Sequence, residues 1–125
     1  MKYLLDVNIL IAGIWDSHIH HEIVFEWLKG REIVLCPLAE MGFLRISTHP
    51  GGYNFSMEVA RQGLKRFRTD RKAMLITDDL DVFNSNPKTS AQVPDHYLAD
   101  LAAQHGLKLA TLDTGLKHTS AQLVS

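Results

Sequence analysis

The strongest constraint on this chain is a regular exchange between two kinds of segment. Short apolar runs ("KYLL", "EIVLC", "KAMLIT" and "LKLATLD") alternate with longer stretches whose apolar residues recur at helical spacing. Strands separated by helices cannot pair as simple hairpins. The chain must cross over between them, which makes neighbouring strands parallel. The expected fold is α/β: a three-layer α/β/α sandwich with a central, mainly parallel sheet of four to five strands.

Local signals place the elements. After Asp6, "VNILIAGIW" turns directly into a helix. "SHIHHEIVFEWLKG" reads as a helix capped by Ser17, with Ile19, Ile23, Trp27 and Leu28 inward and Gly30 just past its end. Pro37 suits the first helical position of "PLAEMGFLRIST". "FSMEVARQGLKRFRTD" turns Phe55, Val59, Leu64 and Phe67 inward and is weakened by Gly63. "VPDHYLADLAAQHG" has Pro94 near its start, Leu98, Leu101 and Ala102 inward, and Gly106 as its stop. "HPGGYN" and "NSNPKTSAQ" read as loops, "DDLD" as a helix cap with its first turn, and "AQLVS" as an added edge strand. No repeat, low-complexity tract or long linker divides residues 1–125, so one domain is expected.

Composition removes several classes. Acidic and basic residues nearly balance, 14 against 13, so charge alone neither demands nor excludes a nucleic-acid partner. The single cysteine, Cys36, rules out an internal disulfide and suits a reducing cytoplasm. Asp6 and Asn8 interrupt the only apolar N-terminal stretch, so it does not read as a signal peptide, and no run is long enough to span a membrane.

The acids carry the chemistry. Ligands of open α/β sheets bind outside the carboxyl ends of the strands. Asp6 follows "KYLL" and Asp113 follows "LKLATL", so both fall at such ends. Glu40 and Asp95 lie early in helices whose first turns face the same rim. Any one of these acids reads equally well as a cap or a solvated rim residue. Four converging carboxylates would repel and take up protons unless a cation balanced them. A hard divalent ion, Mg²⁺ or Mn²⁺, fits oxygen donors of this kind and polarises phosphodiesters. The helix start at Asp95 favours its ionised form. Asn8 reads as a neutral rim ligand or as a hydrogen-bond partner to Asp6, and Thr111 can serve similarly because it shares a strand face with Asp113.

Taken together, "YLLDVNIL", "PLAEMGFLRIST" and "VPDHYLADLAAQHGLKLATLDTGL" resemble the PIN domain, and more narrowly the VapC-type toxin ribonucleases of bacterial toxin–antitoxin pairs. The resemblance covers nearly the whole chain. The four acids of that family fall on Asp6, Glu40, Asp95 and Asp113, and Asn8 matches a frequent companion of the first. It implies an endoribonuclease that uses one or two Mg²⁺ or Mn²⁺ ions to cut structured cellular RNA (tRNA, rRNA or mRNA). It also implies a homodimer and a small VapB-type antitoxin partner. "GFLRIST" with Arg45, and "HIHH", resemble one subgroup of the family.

Other features admit plainer readings. His18, His20 and His21 spread over different helix faces with no cysteine cluster beside them, which argues against zinc. The run from Lys65 to Lys72 reads as an RNA- or antitoxin-steering patch or as a solvated helix end. Arg45 suits a phosphate contact or a structural pair. Asp100 points about 140° away from Asp95 on its helix and reads as solvated. Cys36 reads as core. Two alternatives remain: a PIN-like domain that only binds RNA or a partner, and an aspartate-nucleophile phosphohydrolase. The second wants an acid where this chain has Asn8.

Overall fold

In the computed structural model, which describes residues 1–125, all the short apolar runs become strands of one sheet. They are β1 (Lys2–Leu5), β2 (Glu32–Leu35), β3 (Met74–Leu75), β4 (Lys108–Thr111) and β5 (Ala121–Leu123). The order is β3-β2-β1-β4-β5, and every pairing is parallel. Consecutive strand residues point to opposite faces. Leu4, Leu5, Ile33, Val34, Leu35, Leu109 and Ala110 are nevertheless all 1% exposed or less. Both faces are therefore covered, as a parallel sheet requires.

The cover comes from α1 (Val7–Ile14), α2 (His21–Leu28), α3 (Pro37–Thr48), α4 (Met57–Asp70) and α5 (Gln92–Gln104). A single 3₁₀ turn, Val82–Asn84, lies between β3 and α5. Three inward assignments change. The second helix begins at His21 rather than at Ser17, and residues 16–20 form turns in which the backbone N–H of His20 donates to the His18 ring. Ile19 is therefore 87% exposed, and Val24 and Leu28 take the inner face instead of Ile23. On α4, Ala60 is buried and Val59 faces outward, because the face is set by Leu64 and Phe67 one and two turns later. Phe55 lies before the helix and packs on Trp15, with ring centroids 4.7 Å apart.

Gly63 is a close-approach position rather than a weak point. A Cβ there would lie 2.9 Å from Cη2 of Trp15 and 3.3 Å from Cγ2 of Ile14. The Trp15 ring has little freedom to yield. Its Nε1–H donates to Ser47 Oγ at 2.8 Å, and it stacks on Phe43. Gly63→Ala gains about 1 kcal/mol of helix propensity and meets overpacking of about 1–3 kcal/mol. The expected outcome is a lower urea midpoint; a higher one would show that the ring gives way.

The strand order locates the site. From β1 the chain builds outward through β2 and β3 on one side, then returns to place β4 and β5 on the other. The switch point lies between the carboxyl ends of β1 and β4, where open α/β sheets bind their ligands. Leu5 pairs with Ala110 there, so Asp6 and Thr111 are neighbours, and the Asp6 N–H donates to the Ala110 carbonyl at 3.0 Å.

Candidate active site

Asp6 ends β1 and caps α1. Its backbone is extended, and its Oδ1 accepts from the Val7 N–H at 2.7 Å. It is 3% exposed. Thr111, the last residue of β4, donates its hydroxyl to Asp6 Oδ2 at 2.7 Å and accepts from the Asp113 N–H at 3.0 Å. Asn8 braces the same junction with both ends of its amide. Nδ2 donates to Thr111 Oγ1 at 3.2 Å and to Asp6 Oδ2 at 3.4 Å, while Oδ1 accepts from the Leu112 N–H at 3.1 Å. Asp113 is held in turn by the Gly115 N–H, which donates to its Oδ1 at 2.8 Å. The carboxamide and hydroxyl thus orient the two strand-end acids.

Burial pushes the Asp6 carboxyl up to about 6, opposed by the Thr111 hydrogen bond and reinforced by the charges of Asp95 and Asp113. Asp95, in the first turn of α5 and half-buried, is also raised, chiefly by burial and then by Asp113. Desolvation and like charge therefore outweigh the helix start that was expected to favour its ionised form. Three carboxylates from three separate segments sense one another.

Glu40 behaves differently. It lies in the first turn of α3, 8% exposed, and is clasped by Arg68 of α4. Arg68 Nε donates to Oε2 at 2.7 Å and Nη2 to Oε1 at 2.8 Å, a two-pronged pair. Arg68 belongs to the basic run, and together with Arg61 and Lys65 it lines an open groove of about 750 Å³. The pairing has no local signature, because its partners lie 28 residues apart. Arg45 is exposed and forms neither a side-chain hydrogen bond nor an ion pair.

The donor set is all oxygen, which suits Mg²⁺ or Mn²⁺. No three acids, histidines or cysteines close into a ready-made cage. Of the histidine segment, His21 has a structural role, its ring bonding the Ala12 carbonyl at 2.7 Å, while His18 bonds only within its own turn. Asp100 departs from its expected solvated role and pairs with His118 Nε2 at 2.7 Å. His118 Nδ1 lies 3.0 Å from Ser120 Oγ, but that hydroxyl is buried and donates to the Ala99 carbonyl. The Ser–His–Asp alignment therefore ties α5 to β5 and exposes no nucleophile. Cys36 is buried, and its thiol is pushed up to about 12 by burial.

Residues 3–122 match the PIN domain family. Ribonuclease VapC38 of Mycobacterium tuberculosis (strain ATCC 25618 / H37Rv) is 36% identical over 121 residues, covering 90% of this chain and 86% of its own. Ribonuclease VapC29 of Mycobacterium tuberculosis (strain CDC 1551 / Oshkosh) is 32% identical over 123 residues, covering 94% and 90%. Among solved structures, VapBC2 from Rickettsia felis bound to a DNA fragment from their promoter shares the fold. Its TM-score is 0.67 across 98% of this chain and 97% of that one, at 15% identity.

Proposed function

The chain belongs to the PIN-domain family, with relatives among ribonucleases named VapC, and on that premise we propose that it is a metal-dependent endoribonuclease acting as the toxin of a toxin–antitoxin pair. The observation that carries this reading is the buried Asp6 at the sheet's switch point, its carboxyl pushed up to about 6 with Asp95 and Asp113 adding to the shift. Such a cluster is costly without a cation and useful with one.

Asp6, Asp95 and Asp113 are the residues that would hold Mg²⁺ or Mn²⁺. When bound, such an ion polarises a phosphodiester and lowers the pKa of its water. Thr111 and Asn8 fix Asp6 and Asp113 in place, so the carboxylates need not reorganise as charge develops. Glu40 aims Arg68 along α4, where Arg68, Lys65 and Arg61 offer cations to RNA phosphates. No histidine is needed as a general base. The aspartate-nucleophile reading loses ground because Asn8 is a brace with both ends engaged.

A small VapB-type antitoxin and a homodimeric state complete the proposal. Exposed apolar side chains on α3 and α4 (Met41, Ile46, Met57 and Val59) give such partners surface to cover. The test incubates purified protein with cellular RNA and maps new 5′ ends. Cleavage is expected with Mg²⁺ or Mn²⁺, to vanish in excess EDTA, and to return when the ion is restored. Undiminished cleavage in EDTA would overturn the metal-dependent reading, and RNA binding without cleavage under any ion would leave a binding module.

A further inference from the structure

A second cleft opens beside Asp113. Residues 112–120, between β4 and β5, fold along the β5 edge of the sheet and border a cavity of about 500 Å³. Apolar Leu116, Ala121 and Leu123 line it together with polar Thr114, Lys117 and Thr119. Thr111 and Asp113 line it as well, so the cleft is continuous with the acid cluster.

The loop is pre-formed. His118 has both ring nitrogens engaged, Nε2 with Asp100 Oδ1 at 2.7 Å and Nδ1 with the Ser120 N–H at 3.0 Å. Lys108 Nζ donates to the Thr119 carbonyl at 3.1 Å. His118 and Lys108 therefore hold the loop in shape. Lys117 is different. It is exposed, donates to the Thr114 carbonyl at 3.3 Å, and forms no ion pair. An ammonium has three donors, so two remain for a ligand. The exposed Thr114 and Thr119 add two hydroxyls to the same cleft. A cation and hydroxyls suit a phosphate, and the apolar lining suits the sugar and base attached to it.

The strand order gives the cleft its place. Glu40 follows β2 and Asp113 follows β4, on opposite sides of β1. The groove of Arg61, Lys65 and Arg68 adjoins Glu40, and the Lys117 cleft adjoins Asp113. Cations thus stand on both sides of Asp6.

We propose that this cleft receives the RNA strand on one side of the scissile phosphate, with Lys117 binding the next phosphate along and Leu116 and Leu123 carrying its sugar and base. The Arg68 groove takes the strand on the other side. Contacts of this kind ignore base edges, so the subsite adds affinity for a flanking nucleotide whatever its base. The inference rests on the ribonuclease reading and adds a substrate-binding residue to it.

The experiment uses an oligonucleotide spanning a cleavage position mapped in cellular RNA, and compares the wild type with Lys117→Ala and Lys117→Arg in Mg²⁺. Lys117→Ala should raise KM at least about fivefold, the worth of one phosphate contact, with the loss in KM rather than kcat. The plot of log(kcat/KM) against log salt should become shallower by about 0.7, one phosphate of a single strand. Lys117→Arg should keep both the KM and the slope. Removing the nucleotides on one side of the cut should raise the wild-type KM by a similar factor, and on that shortened RNA Lys117→Ala should cost nothing more. A Lys117→Ala variant with wild-type KM and salt slope would overturn the inference and leave the ribonuclease reading intact. An equal loss on RNAs shortened from either side would also overturn it, because the contact would then lie away from the flanking nucleotide. AMP that shifts the Thr114 and Lys117 amide NMR signals while RNA cleavage ignores Lys117 would likewise overturn it, and would assign a free-nucleotide site. Absence of cleavage by the wild type would overturn the ribonuclease reading and this inference with it.

Discussion

Asp6→Asn should lower RNA cleavage at least about 100-fold and at the same time raise the stability of the metal-free protein at pH 7. The loss follows from removing the most buried of the three carboxylates that would hold the ion, given that even residues supporting a metal's ligands are commonly worth 10–100-fold. The gain follows from the charge itself. Asp6 is 3% exposed, and its carboxyl is pushed from 3.8 up to about 6. A carboxyl raised on folding is easier to keep protonated in the native state, so the native chain binds more protons than the unfolded chain between those two values. Stability therefore falls as pH rises from about 4 to about 6, and the deficit persists above that. Two pH units correspond to at most about 3 kcal/mol, or at most about 11 °C in melting temperature for a chain of this size. Asparagine still accepts from the Val7 N–H, but its amide nitrogen cannot accept from the Thr111 hydroxyl, whose own lone pairs are taken by Asn8 and Asp113, so the loss of that bond offsets part of the gain. Thermal melts in EDTA should show the variant more stable at pH 7 and equal to the wild type near pH 4. Adding Mg²⁺ or Mn²⁺ should stabilise the wild type and leave the variant unmoved. An active variant, or one no more stable than the wild type at pH 7, would remove Asp6 from the site.

Arg68→Ala should be the most destabilising single change at the rim. It leaves Glu40, with its side chain 10% exposed, without its counter-charge. Breaking a fully buried pair costs about 3–5 kcal/mol. The Arg68 side chain is 42% exposed, so water can reach the vacated side and the expected loss is about 1–3 kcal/mol, read as a lower urea midpoint. Glu40→Gln added to Arg68→Ala should recover most of it, because the uncompensated charge disappears. The same pair of positions separates two roles for Glu40. If Glu40 aims Arg68, then Glu40→Gln and Arg68→Gln lower cleavage alike and the double variant falls little further. If Glu40 holds the ion, Glu40→Gln loses as much as Asp6→Asn while Arg68→Gln stays active, and the positioning role fails.

These two predictions mark the boundary between local and tertiary information. Asp6 and Asp113 were legible because a polar residue ending a short apolar run has few other places to go. Glu40 and Asp95 were legible as early-turn acids, and their different fates were not. One is neutralised by Arg68, 28 residues away, and the other adds to the repulsion at Asp6. Asp100 pairs with His118 across 18 residues and was missed for the same reason. Ile19 and Val59 were assigned inward on helical spacing alone, but each depends on where its helix starts or which ridge meets the sheet.

By itself, the sequence determined the alternating strand–helix order, the parallel sheet and the acids at its carboxyl ends, because each depends on residues within a few positions of one another. The tertiary structure alone decided which acid meets which partner and why Gly63 must lack a side chain beside Trp15. Those outcomes depend on the register and packing of elements far apart in the chain, and no local pattern encodes them.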